Sequence, residues 1–208
     1  QFMAEYNVSF PAAHLDRVRD LFEAMDALYR WLGSPENSLT STKAFLLTGD
    51  AGAGKTHGVC DVAEHRLADG RLTCVVFGHQ FRGEPDPWTR LLEILGFPPE
   101  LGRDGLLDAL DAAAEASNSP LILCVDAINE TRPLQYWRDR IAAFVKAIER
   151  RENLRVCFTC RTSFVEHCLP DNCEMPLVEH QGFAGIERLA CQSFFGHYDL
   201  EPPVAPIL

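Results

Sequence analysis

Apolar residues along the chain follow two rhythms. Four short runs are almost uninterrupted: Ala44 to Thr48, Leu72 to Phe77, Leu121 to Asp126, and Arg155 to Cys160. Their length and their Val, Ile, Leu and Phe content predict strands buried on both faces, as in a parallel sheet. Between them the apolar positions recur at helical spacing. Val59, Val62, Ala63 and Leu67 form one stripe, ending near Gly70. Asp86-Pro87 is a helix cap followed by proline in the first turn, and it opens a helix over Trp88 to Leu95. A further helix runs from about Asp104 to Ala116, with Leu106, Leu107, Leu110 and Ala114 on one side, until Asn118-Ser119-Pro120 breaks it. Tyr136 to Arg151 reads as the clearest helix: Trp137, Ile141, Phe144, Val145 and Ile148 make its buried stripe, and Arg138, Arg140, Glu149 and Arg150 its wet face. Ahead of the first strand, His14 to Leu32 predicts an amphipathic helix stopped by Gly33-Ser34-Pro35. Beyond the last long run, Cys173 to Glu179 predicts a shorter edge strand interrupted by Pro176. Gly185 to Tyr198 reads as a helix, and Glu201 to Pro206 as a linker.

Chemistry enters where the first strand meets the first helix. Gly49 to Thr56 reads GDAGAGKT, the spacing GxxxxGK(S/T). Small residues there let successive backbone N–H groups turn inward around a phosphate chain. Gly49, Asp50, Ala51, Gly52, Ala53, Gly54, Lys55, Thr56 and His57 are therefore the candidate nucleotide-binding residues. Lys55 supplies a positive charge for the β- and γ-phosphates and Thr56 a hydroxyl for Mg²⁺, while the helix that begins there points its positive end at the anion. The run that ends in Asp126 delivers a carboxylate to the same sheet edge, where it can hold Mg²⁺ of a bound ATP from the other side. Glu130, four residues on, is the candidate to orient or deprotonate the attacking water. Arg161, just after a strand, either reaches the γ-phosphate and reports its presence or makes a structural ion pair. His79 and Gln80 follow the second strand at its carboxyl end, the edge where ligands of open α/β sheets gather. They either approach the nucleotide or serve as ordinary loop residues.

Composition narrows the class. The chain has 208 residues, 47% hydrophobic and 24% charged, enough for one α/β domain with a full core. Its net charge of −11 disfavours a nucleic-acid surface, which needs clustered positive charge. No apolar run has the length of a membrane span, and the first residues lack the blocks of a signal peptide, so the cytoplasm is the expected compartment. Of the eight cysteines, Cys60, Cys74, Cys124 and Cys157 lie in apolar patterns, as small buried hydrophobes with reduced thiols. Cys157 and Cys160 form a CxxC, but residues three apart on a strand face opposite sides, which argues against a zinc pair. The last residues, Pro206-Ile207-Leu208, form no closing element, and the chain is expected to be a piece of something longer.

Taken together, GDAGAGKT, LILCVDAINE, RVCFTCRTS and HQGFAGIERLACQSFFGHYDLEPP resemble the STAND class of P-loop NTPases. Within it, they are similar to the NACHT-like ATPase core of bacterial antiviral (Avs-type) proteins. The resemblance runs from about Leu15 onward and implies a three-layer α/β/α fold around a five-stranded parallel sheet. It places the Arg155 to Cys160 strand beside the phosphate strand, between it and the neighbour of the Asp126 strand. By it, residues 1–180 form the NTPase domain with an N-terminal helix, and residues 181–208 begin a helical or linker segment. It implies ATP and Mg²⁺ at Lys55, Thr56 and Asp126, water activation by Glu130, and γ-phosphate sensing by Arg161. One departure concerns Asn129-Glu130, where many NACHT proteins carry two acids; Mg²⁺ binding survives it, and the hydrolysis rate is left open. The resemblance also implies self-association driven by ATP, once domains outside this chain sense a phage or other foreign component.

Overall fold

The computed structural model describes residues 39–83 and 85–182, together with Met25 and residues 191, 192, 195 and 196. It divides into two compact units, Gln1–Thr42 and Lys43–Leu208. In the first, the turn Leu39–Ser41 is closed by Thr42, whose N–H and hydroxyl both donate to Leu39 O at 3.2 and 3.1 Å. The predicted helices over His14 to Leu32 and Gly185 to Tyr198 lie outside the described residues, apart from helical backbone at Met25 and at residues 191, 192, 195 and 196.

The second unit is built on strands β1 (Ala44–Gly49), β2 (Thr73–Phe77), β3 (Leu121–Asp126), β4 (Leu154–Arg161) and β5 (Leu177–Glu179). They form one sheet in the order β2-β3-β4-β1-β5, with every pairing parallel. This is the predicted five-stranded parallel sheet; β4 lies beside the phosphate strand β1 as expected, with the Asp126 strand β3 itself on its other side. Interposing β4 has a direct consequence. Gly49 at the end of β1 lies opposite Arg161, and Phe77 at the end of β2 lies opposite Asp126, so the chemistry-bearing strand ends share one edge. Burial follows position in the sheet: β3 and β4 are buried almost throughout, whereas β5 is exposed at Leu177 and Glu179, as befits an edge.

Helices α1 (Lys55–Ala68), α2 (Pro87–Leu95), α3 (Gly102–Ala116), α4 (Ile141–Glu149) and the single turn α5 (Val165–Cys168) connect the strands. The predicted cap of α2 is present: Asp86 Oδ2 accepts from Trp88 N at 3.0 Å and from Thr89 N at 3.4 Å. The larger core joins Leu46, Leu123, Val125, Val156 and Phe158 of the sheet to Leu91, Leu106, Leu107 and Phe144 of the helices. On the other sheet face, among the described residues, Val59, Cys124 and Cys157 form a small buried cluster flanked by Phe45, Leu47, Val75 and Ile122. Cys157 and Cys160 fall in these different clusters, as a period of two requires. Burial pushes the Cys74 thiol up to about 11, away from the reactive thiolate.

Two expectations fail. The helix predicted over Tyr136 to Arg151 begins only at Ile141, preceded by the 3-10 turn Leu134–Tyr136. Tyr136 and Trp137 are both fully buried there. The Tyr136 hydroxyl donates to Pro85 O at 2.7 Å and the Trp137 indole N–H to Thr131 Oγ1 at 2.9 Å, and these anchors hold the turn open. Arg138 and Arg140 are accordingly not a wet face. Arg138 donates to Leu169 O at 2.9 Å and pairs with Asp171 at 2.8 Å, and Arg140 lies 4.5 Å from the centre of the Tyr136 ring. The second failure is on α1, of whose described residues only Val59 and Ala63 are buried, while Val62 and Leu67 are about half exposed.

Trp88 stacks on Phe144 at 4.1 Å and 6°, while Trp137 meets Phe144 edge-on at 5.5 Å. Phe144→Ala removes the shared partner of both indoles. We expect it to cost about 3–5 kcal/mol in urea unfolding, and a loss below ~1 kcal/mol would contradict this packing.

Candidate functional site

The loop from β1 to α1 is a cradle of backbone amides. Gly52 and Gly54 hold left-handed backbone at φ 77° and 93°, a conformation that side chains oppose. Gly54 is the N-cap of α1 and no side chain caps that end, so the first amides of the helix are free to meet an anion together with its dipole. Lys55 folds back across the loop, and its ammonium donates to Gly49 O and Asp50 O at 2.7 Å each. Burial lowers the proton affinity of this ammonium, and the charge of Arg161 lowers it further. Two cations that raise each other's energy favour an anion placed between them.

Opposite stands Asp126, 2% exposed. Its Oδ2 accepts from the Thr56 hydroxyl at 2.7 Å and its Oδ1 from the Thr159 hydroxyl at 2.6 Å. The loop and β3 are therefore linked by one hydrogen bond. Thr159 Oγ1 also accepts from Ala127 N at 2.7 Å, which fixes the left-handed Ala127 (φ 55°) immediately after the carboxylate. Gly78 admits this turn, since a Cβ there would lie 2.1 Å from Ala127 O. Next, Asn129 is buried, and its Oδ1 accepts from Arg161 N at 3.1 Å. The Glu130 carboxylate and the Arg161 guanidinium, each a little under half exposed, face one another at 3.6 Å.

These groups surround one cleft of about 520 Å³, within the range of small-molecule sites. Of the predicted residues, Ala51, Gly52, Gly54, Lys55, Thr56 and His57 line it from the loop side, and Glu130 and Arg161 from across the sheet. Asp126 lies beneath them, reached through Thr56 and Thr159. Gly49, Asp50 and Ala53 do not line the cleft; Gly49 and Asp50 offer their carbonyls to Lys55. His79 and Gln80 stay outside it. His79 stacks on Phe77 at 5.7 Å, and Gln80 Oε1 accepts from Phe77 N at 2.7 Å, so both serve the end of β2.

Thr159 is a residue that sequence reasoning does not single out, and Asn129 enters it only as the position of a missing acid. The one available signal for Thr159 is a hydroxyl inside an apolar run two residues before Arg161. Thr159→Val removes one partner from Asp126 and the acceptor of Ala127 N. It is expected to lower unfolding free energy by about 1–3 kcal/mol, with Thr159→Ser recovering most of it; equal stability of the Val variant and the wild type would contradict the arrangement.

An uncapped helix end, left-handed glycines, one lysine and a hydroxyl–carboxylate pair of hard oxygen donors fit a triphosphate with Mg²⁺. Among the described residues, no helix is long and apolar enough to cross a membrane. No protein-family model matches the chain, and no curated protein matches it by sequence. Solved structures do match by fold. A DNA replication initiation factor shares 12% identity over 96% of this chain and 55% of its own, with a TM-score of 0.53. AMPPCP-bound DnaA from Aquifex aeolicus shares 11% over 82% of this chain and 51% of its own, also at 0.53. What these structures share with the chain is the fold, an α/β architecture around a parallel sheet. The chain spans about half the length of these structures.

Proposed function

We propose that this chain is an ATP-binding, slowly hydrolysing module of the STAND type, a nucleotide-dependent switch for self-association in antiviral defence. The observation that carries the nucleotide site is the hydrogen-bonded chain Thr56–Asp126–Thr159, which brings loop and carboxylate together at the cleft that Glu130 and Arg161 also face. The AMPPCP held by the similar DnaA supports the same ligand class. Lys55 and the α1 amides would bind the phosphates; Thr56 and Asp126 would hold Mg²⁺, whose charge supports the β- and γ-phosphate oxygens. Glu130 would take the proton from the water that attacks the γ-phosphorus as the bond to the β–γ bridging oxygen breaks. Arg161 would leave Glu130 for the γ-phosphate, and its backbone tie to Asn129 carries that change to the turn after β3. The STAND and antiviral parts rest on the resemblance of the Asp126–Glu130, Arg161–Ser163 and Gly182–Leu200 segments. DNA is left out of the proposal because of the net charge of −11.

A second reading is a nucleotide-binding assembly scaffold with negligible hydrolysis. Asn129, used as a backbone anchor where a second acid would otherwise stand, favours it. Phosphate release from Mg·ATP decides between them: slow turnover that scales with protein and stops on chelating Mg²⁺ supports the switch. Tight binding without release selects the scaffold.

A further inference from the structure

Beyond β5, the chain lies against the outside of the loop. The His180 N–H donates to Thr48 O at 2.7 Å, continuing the β1–β5 pairing past the strand end. A Cβ at Gly49 would lie 2.5 Å from His180 O, so the two backbones touch and any side chain at Gly49 would force them apart. The imidazole reaches the other end of the loop, with Nε2 3.8 Å from where a Gly54 Cβ would be. Gly182, left-handed at φ 66°, packs on Ala53: a Cβ there would lie 3.3 Å from Ala53 O. His180 and Gly182 thus lie against Gly49 and Ala53 and near Gly54, which lines the cleft with Ala51, Gly52, Lys55 and Thr56. Inside the loop, Ala53 N–H donates to Asp50 O at a long 3.3 Å, a weak constraint on its shape.

We infer that His180 is a positioning residue for the phosphate loop, holding Gly49 to Gly54 from outside in the form that directs their amides into the cleft. The inference rests on the proposed nucleotide site and deepens it. A loop that spends only part of its time in the competent form binds more weakly in proportion to that fraction. Linkage then works in both directions: nucleotide in the cleft tightens the contact between the β5 extension and the loop. Binding would in this way be felt at the start of the segment that follows Gly182.

The test uses the full chain, a fluorescent ATP analogue with Mg²⁺, and phosphate release. His180→Ala is expected to weaken nucleotide binding roughly tenfold, with the rate at saturation changed far less. His180→Gln, similar in reach and polarity, should recover most of the affinity, and the exposed neighbour Gln181→Ala should behave as wild type. Hydrogen exchange of the His180 amide should slow on adding Mg·ATP to the wild type, and not in Lys55→Ala. Wild-type binding together with unaltered affinity in His180→Ala would overturn the inference alone. So would a loss that simply tracks a lower melting temperature of the nucleotide-free protein and is not recovered by Gln. Absence of binding by the wild type would overturn the nucleotide site itself, and this inference with it.

Discussion

Lys55→Ala is expected to weaken Mg·ATP binding at least about a hundredfold, the loss of ~3 kcal/mol that a charge-assisted phosphate contact supports. The ammonium is held by Gly49 O and Asp50 O, both uncharged, and its proton affinity is lowered first by burial and then by Arg161. A phosphate entering the loop offers charge where those carbonyls offer only dipoles, so the gain on binding is large. The fold does not depend on the contact: Asp50 is exposed, and its carbonyl takes water when the lysine is gone. The melting temperature without nucleotide should stay within about 3 °C of wild type. Calorimetric titration of the two proteins checks the first statement and a thermal melt the second. Equal affinities would mean that any nucleotide lies elsewhere.

Glu130→Gln is expected to lower phosphate release by roughly 10²- to 10⁴-fold, the usual contribution of a positioned general base. Affinity should hold or rise slightly. The variant keeps the side-chain shape, drops a negative charge facing the γ-phosphate, and releases Arg161 from the pair at 3.6 Å. Single-turnover release beside equilibrium binding separates these effects. Unchanged release with unchanged affinity would reduce Glu130 to the structural partner of Arg161, the alternative that strand-end position leaves open.

The sequence is informative wherever burial is simple. The central strands lie between two packed faces, so β3 and β4 are nearly continuous apolar runs, and the acid that ends β3 stands out against them. The loop is legible because phosphate binding demands glycine at positions where few other residues serve; Gly52 and Gly54 are left-handed. What stays hidden depends on neighbours distant in sequence. Tyr136 is tied to Pro85 O through its hydroxyl, and nothing in helical spacing announces that the helix must wait for Ile141. The role of Thr159 exists only because β4 lies between β1 and β3, which places its hydroxyl between Asp126 and Ala127. Asn129 reads as a missing acid in a list of motifs and as a backbone anchor in space. The proximity of His180 to the loop likewise follows from β5 pairing with β1, which periodicity does not specify.

The central claim is that loop and carboxylate form one Mg·ATP site. Its most direct test is a calorimetric titration of the wild-type chain with ATP, run with Mg²⁺ and with chelator. A single saturable site that tightens with Mg²⁺, and that loses this tightening in Asp126→Asn, is the predicted result. No heat and no thermal shift in either condition, or binding indifferent to both Mg²⁺ and Asp126, would contradict it.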